Sequence, residues 1–172
     1  MYKKNIFSTI LKEKHVTSFN FLLVDDEKSF IETIAKRLRK RGFTVDCAFS
    51  GMEALNQLEK NGTIDVVVLD VKMPDLNGIK TVETLKKKHP LVEVVMLTVQ
   101  ATIHSAIEAL KLGAFDYLTK PCDLNDLIAK AKQAVTRKKE REAKILSARM
   151  KPYISERERD ELISKILEKN LT

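Results

Sequence analysis

The chain has 172 residues, 44% of them hydrophobic and 32% charged, with a formal net charge of +7. That length accommodates one domain with a sizeable core plus segments too short to fold alone, and no apolar run approaches the roughly 18 residues a membrane span needs. The basic start, MYKKNIFSTILKEKH, has neither a sustained apolar stretch nor a small-residue cleavage site, which argues against a secretory signal. Cys47 and Cys122 are too few and too far apart for a disulfide framework or a zinc site and read as free thiols in a reducing cytoplasm.

The basic excess belongs to the ends. Residues 1–18 carry +3, and 11 basic against 7 acidic side chains from Arg137 onward carry +4, so the middle is neutral. Taken in chain order, residues 19–139 alternate short apolar runs with longer amphipathic ones, the rhythm of a parallel sheet flanked by helices. The runs are Phe21–Val24, Thr44–Ala48, Val66–Leu69, Val92–Leu97 and Phe115–Leu118. The first and third are uninterrupted, as strands buried on both faces are. Helical stretches come after each, marked by Phe30, Ile34 and Leu38, by Ala54, Leu55 and Leu58, by Ile79, Val82 and Leu85 after Pro74, and by Ile103, Ile107 and Leu110. Gly42, Gly62 and Gly113 are placed to end helices.

The fifth helical stretch begins near Asn125 and meets no Gly or Pro until after Arg149. At about 1.5 Å per residue it spans some 37 Å, against strands of about 17 Å, and several turns are expected to project. After Pro152, Ser155 and Glu158 offer a capping box for a last helix whose Leu162, Ile163, Ile166 and Leu167 form an apolar stripe in need of a partner. The organisation predicted is a basic N-terminal tail over 1–18, an α/β domain over 19–139, and a helical C-terminal extension over 140–172.

In a doubly wound sheet, ligands bind at the carboxyl ends of the strands. Asp25 and Asp26 end the first run, Asp70 the third and Thr98 the fourth, and Lys120 comes after the fifth. Singly, each reads best as a turn residue, a cap or a surface charge. Together they set three carboxylates, a hydroxyl and an ammonium at matching strand ends. Two carboxylates about 4 Å apart repel by about 4 kcal/mol at an effective dielectric near 20, so the trio calls for a hard divalent cation, Mg2+ or Mn2+. Such a site suits phosphate, and one carboxylate attacking phosphorus would form an acyl phosphate.

The segments FLLVDDE, VVVLDVKMPDLNG, VVMLTVQ and FDYLTKP resemble, in order and spacing, the receiver-domain motifs of bacterial response regulators. The resemblance covers about Phe19 to Lys139 and implies a flavodoxin-like sheet of order 2-1-3-4-5 with helices on both faces. It makes Asp70 the phosphoacceptor, Asp26 and Asp70 direct metal ligands, and Asp25 a ligand mainly through water, with the main-chain carbonyl of Lys72 completing the set. Lys120 would pair with the phosphoryl group, Pro121 would lie after a cis peptide, and Thr98 with Tyr117 would form the switch pair. The stretch AIEALKLGAFDYLTKPCDLNDL resembles the nitrogen-regulator branch, whose receivers normally precede an ATPase and a DNA-binding domain; neither pattern occurs in these 172 residues. Val99 departs from the Ala or Gly usual after the switch threonine, and its bulk is expected to alter access or turnover. Lys72 and Gln100 stand where receivers vary and tune acyl-phosphate lifetime.

The reading that results is a cytoplasmic phosphorelay receiver and not an enzyme beyond self-catalysed phosphotransfer and autodephosphorylation. A histidine kinase or phosphotransfer protein is the donor. Output is by homodimerisation or a partner protein, through the face of the fourth and fifth helices and the C-terminal helices. Two alternatives stand beside it: a nucleic-acid binder using the basic tails, and a receiver-fold interaction module that is not phosphorylated. The tail's mixed charges and the lack of interleaved aromatics beyond Tyr153 disfavour nucleic acid. A phosphatase with an aspartyl intermediate would need a second acid/base carboxylate close behind Asp70 and a substrate cap; Asp75 lies beyond Pro74 and no cap is inserted. His15, His89 and His104 lack metal-ligand spacing.

Overall fold

Side chains alternate across a strand, so a strand apolar at every position has two faces to bury. In a computed structural model, which describes residues 18–74, 77–99 and 102–168, the chain meets this demand with helices on both sides of one sheet. The strands are β1 (Asn20–Val24), β2 (Thr44–Ala48), β3 (Val66–Leu69), β4 (Glu93–Thr98) and β5 (Asp116–Thr119). All pair in parallel, in the order β2-β1-β3-β4-β5. The helices are α1 (Lys28–Lys40), α2 (Gly51–Lys60), α3 (Gly78–Lys88), α4 (Ile103–Lys111), α5 (Leu124–Arg149) and α6 (Glu156–Glu168).

Alternate strand residues feed two cores. Phe21, Leu23, Val66, Val68 and Val95 pack with Ile31 and Leu38 of α1 and with Leu127, Ala131 and Ala134 of α5. Leu22, Val24, Val67, Leu69 and Met96 face the other way, toward Leu55 and Leu58 of α2, Val82 and Leu85 of α3, and Ala109 of α4. Each large side chain so buried contributes about 1.5–3 kcal/mol. The helix ends obey local chemistry: Ser50, Asn77, Thr102 and Asp123 accept N-terminal N–H groups as caps. Gly42 and Gly113 turn the chain in the left-handed region after α1 and α4, at φ 88° and 98°. Gly62 does not; α2 ends on Asn61 in extended conformation.

α5 runs unbroken for 26 residues, close to the length read from the sequence. Its second half does not stand wholly clear of the domain. Lys138 is buried and donates to Asp65 at 2.8 Å and to the Ile64 carbonyl at 3.3 Å, while Arg137 and Arg141 bind the buried Glu93. Mixed charge suggests a solvated helix; three of those cations are instead spent on the amino ends of β3 and β4. The apolar stripe of α6 finds its partner in the same chain, folding back on α5 where Ile145 and Ala148 are buried, with Leu162, Ile163, Ile166 and Leu167 half-buried. All of the basic N-terminal tail over 1–18 except Ser18 lies outside the described residues, as do Asp75 and Gln100.

Candidate functional site at the carboxyl edge of the sheet

The sheet ladders carry the site's backbone. Val24 pairs with Leu69 in register, so the next residues along, Asp25 and Asp70, leave the sheet side by side. Asp70 N–H donates to the Val24 carbonyl at 2.9 Å and Asp25 N–H to that of Ala48 at 3.2 Å. Lys120 N–H donates to the Thr98 carbonyl at 2.8 Å, which extends the β4–β5 ladder by one residue. The Lys120–Pro121 peptide is cis.

Asp25 and Asp70 are buried and Asp26 is exposed, yet each offers a carboxylate oxygen within 4.8 Å of the others. A cation of two charges placed among these oxygens fits the donor set, since hard oxygen ligands retaining waters suit Mg2+. Lys72 lies exposed two residues beyond Asp70. The Lys120 ammonium is bonded to Asp25 and stands 3.6 Å from Asp70, with the Phe30 ring centroid 4.5 Å away. Asp25 is therefore engaged through both oxygens, because Oδ1 also accepts the Glu27 N–H at 2.9 Å. Burial pushes the Asp70 carboxyl above its ordinary range; the Lys120 charge works against this and the Asp25 charge with it.

Thr98 is buried at 2% exposure, whereas Tyr117 is 39% exposed, and a cavity of about 10 Å³ is lined by both and by Ala106 of α4. Val99, next in sequence to Thr98, is exposed. Two residues to which the sequence alone assigns no role belong here. Phe30, legible there only as part of an apolar helix face, floors the Lys120 ammonium. Gly78 at the start of α3 packs so closely that a Cβ there would lie 2.2 Å from the Asp70 carbonyl oxygen; its place in DLNG is visible in the sequence, but not the backbone it would meet. The thiols of Cys47 and Cys122 are half-buried and free, and burial raises both above the ordinary thiol range.

Residues 21–132 match the family model of the response regulator receiver domain. The transcriptional regulatory protein ZraR of Escherichia coli is 36% identical over 118 residues, covering 69% of this chain and 26% of ZraR. The photosynthetic apparatus regulatory protein RegA of Rhodobacter capsulatus is 37% identical over 108 residues, 63% of this chain and 58% of RegA. The chain thus spans only about a quarter of ZraR's length. Among solved structures, a response regulator receiver domain protein from Clostridium thermocellum superposes with a TM-score of 0.67 at 38% identity, over 70% of this chain and 97% of that one. The beryllofluoride-activated NtrC4 receiver domain dimer gives 0.65 at 29% identity, over 69% and 98%.

Proposed function

Because the chain belongs to the response regulator receiver domain family of two-component systems, we propose that Asp70 is its phosphoacceptor and that Asp25, Asp26, Asp70 and the Lys72 carbonyl hold Mg2+. The observation that carries this is the convergence of three carboxylate oxygens within 4.8 Å, with an ammonium 3.6 Å from Asp70. An Asp70 oxygen attacks the phosphorus of a phosphohistidine on a kinase or phosphotransfer protein; the new O–P bond forms as the N–P bond breaks and the imidazole takes the electron pair. Bound Mg2+ supplies charge neutralisation at the phosphoryl oxygens. Lys120, now tied to Asp25, turns toward the added phosphate, and the Phe30 ring keeps its ammonium within the site. Autodephosphorylation by water at the same phosphorus returns Asp70 to its carboxylate.

The phosphoryl group adds about −1.5 to −2 charges, if it behaves like other phosphorylated side chains, and so biases a bistable element. Thr98 and Tyr117 are that element: the hydroxyl closes on the phosphate and the ring turns in behind it. A cavity of about 10 Å³ holds no more than a water, so inward rotation of Tyr117 requires α4 to give way at Ala106. The α4–β5–α5 face and the α5–α6 hairpin then meet a second copy or a partner protein. Among the described residues no helix is long and apolar enough to cross a membrane, and a kinase donor places the chain in the cytoplasm. The basic-tail reading loses ground because Arg137, Lys138 and Arg141 are committed to internal carboxylates. Incubation with Mg2+ and acetyl phosphate followed by intact-mass measurement tests the assignment. A phosphoryl mass gain in wild type, absent from Asp70→Ala, is expected; equal labelling of both, or of neither, overturns it.

A further inference from the structure

At the edge of the sheet opposite the aspartates, three cationic side chains surround one carboxylate. Glu93, at the amino end of β4, is fully buried. Arg137 Nε donates to it at 2.9 Å, Arg141 Nη1 at 3.3 Å, and the Lys86 ammonium lies 3.7 Å away. Among the described residues, three cations facing one anion leave two positive charges without a matching carboxylate in the cluster. Burial, with a smaller contribution from the neighbouring guanidinium groups, brings the Lys86 ammonium down to about 8 despite Glu93, and burial lowers Arg141 as well. Arg141 is only 5% exposed, and its Nε has no hydrogen-bond partner among the described residues.

Arg141 and Lys86 form part of the wall of a cavity of about 180 Å³, whose apolar walls come from Pro90, Leu112 and Leu167. Glu83 and Lys87 also border it, but they are paired with each other at 2.7 Å and add no net charge. Apolar cavities of about 150 Å³ hold a benzene ring, so this one takes a ring-sized body; what it adds is buried positive charge at one end. The Lys86 ammonium already donates to the Pro90 and Val92 carbonyls at 3.1 and 2.8 Å, so it contributes charge, and Arg141 contributes the open donor. We propose that this cavity is a ligand site for a small carboxylate with an apolar body, the carboxylate on Arg141 beside the Lys86 charge and the body against Leu112 and Leu167. Arg141 Nη2 also donates to the Leu167 carbonyl at 3.1 Å. A molecule bound there touches the domain and the end of α6 at once, and tightens the hold of the hairpin on the sheet.

Benzoate is a suitable probe, titrated into the full chain while the amide NMR signals of Leu112, Gly113 and Leu167 are monitored. Benzyl alcohol supplies the ring without the charge, and inorganic phosphate the charge without the ring. Saturable shifts with benzoate, and none with either control at the same concentration, are expected. Affinity falls about tenfold or more in Arg141→Gln. Binding disappears in Leu112→Trp, whose indole fills the cavity and whose labelling at Asp70 reports an intact domain. Absence of saturable shifts overturns the proposal, as does an equal response to either control or undiminished binding in Leu112→Trp.

Discussion

Replacing Glu93 by Gln keeps the shape of the side chain and removes the anion that, among the described residues, faces Lys86, Arg137 and Arg141. At an effective dielectric of about 20, a unit charge pair at 3.3 Å attracts by about 5 kcal/mol and one at 3.7 Å by about 4.5 kcal/mol. Mutual repulsion of the cations and the cost of burying all four groups offset most of that attraction. What the substitution exposes is the uncompensated remainder, and breaking a buried ion pair from one side costs about 3–5 kcal/mol. For a chain of this size that lowers Tm by roughly 6–20 °C. Urea denaturation monitored by circular dichroism measures the loss, and hydrogen exchange locates it, with α6 amides opening first because Arg141 no longer holds the Leu167 carbonyl in place. The double variant Glu93→Gln/Arg141→Gln should lose less than the sum of the singles by about 1 kcal/mol or more. A single-variant loss under about 1 kcal/mol, or strict additivity in the double, would refute the claim that this cluster fastens the extension to the sheet.

Lys86 titrates near 8 in the folded chain and at its ordinary 10.5 when unfolded. Between those values the unfolded chain holds the extra proton, so the stability of wild type relative to Lys86→Met rises with pH across that window, by about 3 kcal/mol at most; a flat difference from pH 7 to 11 contradicts this. Gly78→Ala drives a methyl into the Asp70 carbonyl, costing about 1–3 kcal/mol and slowing acetyl phosphate labelling. In Mg2+-free buffer at neutral pH, Asp70→Asn stabilises the fold by about 1 kcal/mol. The sign comes from the raised carboxyl: the folded state penalises the charged form, and stability falls as pH climbs through the folded pKa. Val99→Ala changes the rate of labelling or of acyl-phosphate hydrolysis, read by mass against time; identical rates would remove Val99 from the site.

The strands and the aspartates were legible because each rests on a local signal. VVVL is apolar throughout, Asp70 comes directly after it, and the parallel register brings residues after strand ends to one edge. Asn125–Arg149 reads as one helix because nothing in it breaks the pattern. The Glu93 cluster was invisible for the opposite reason: its four members come from α3, β4 and α5, and only tertiary packing brings residues 86, 93, 137 and 141 together. A single hint was present, a glutamate inside the apolar run VEVVML. The same distance in sequence hid the role of Phe30, since Lys120 lies ninety residues away along the chain.

The uninterrupted course of α5 has a geometric corollary. A helix without a break transmits angle as faithfully as length, so the azimuth of the hairpin about the helix axis is fixed by how many residues separate Leu127 in the core from Ile145 beneath α6. Each added residue turns the downstream segment by about 100° and advances it by about 1.5 Å. Homologous or engineered chains that keep this pairing of domain and hairpin must therefore change the spacer in steps of about seven or eleven residues, and any other small increment swings the hairpin around to a different side of the sheet.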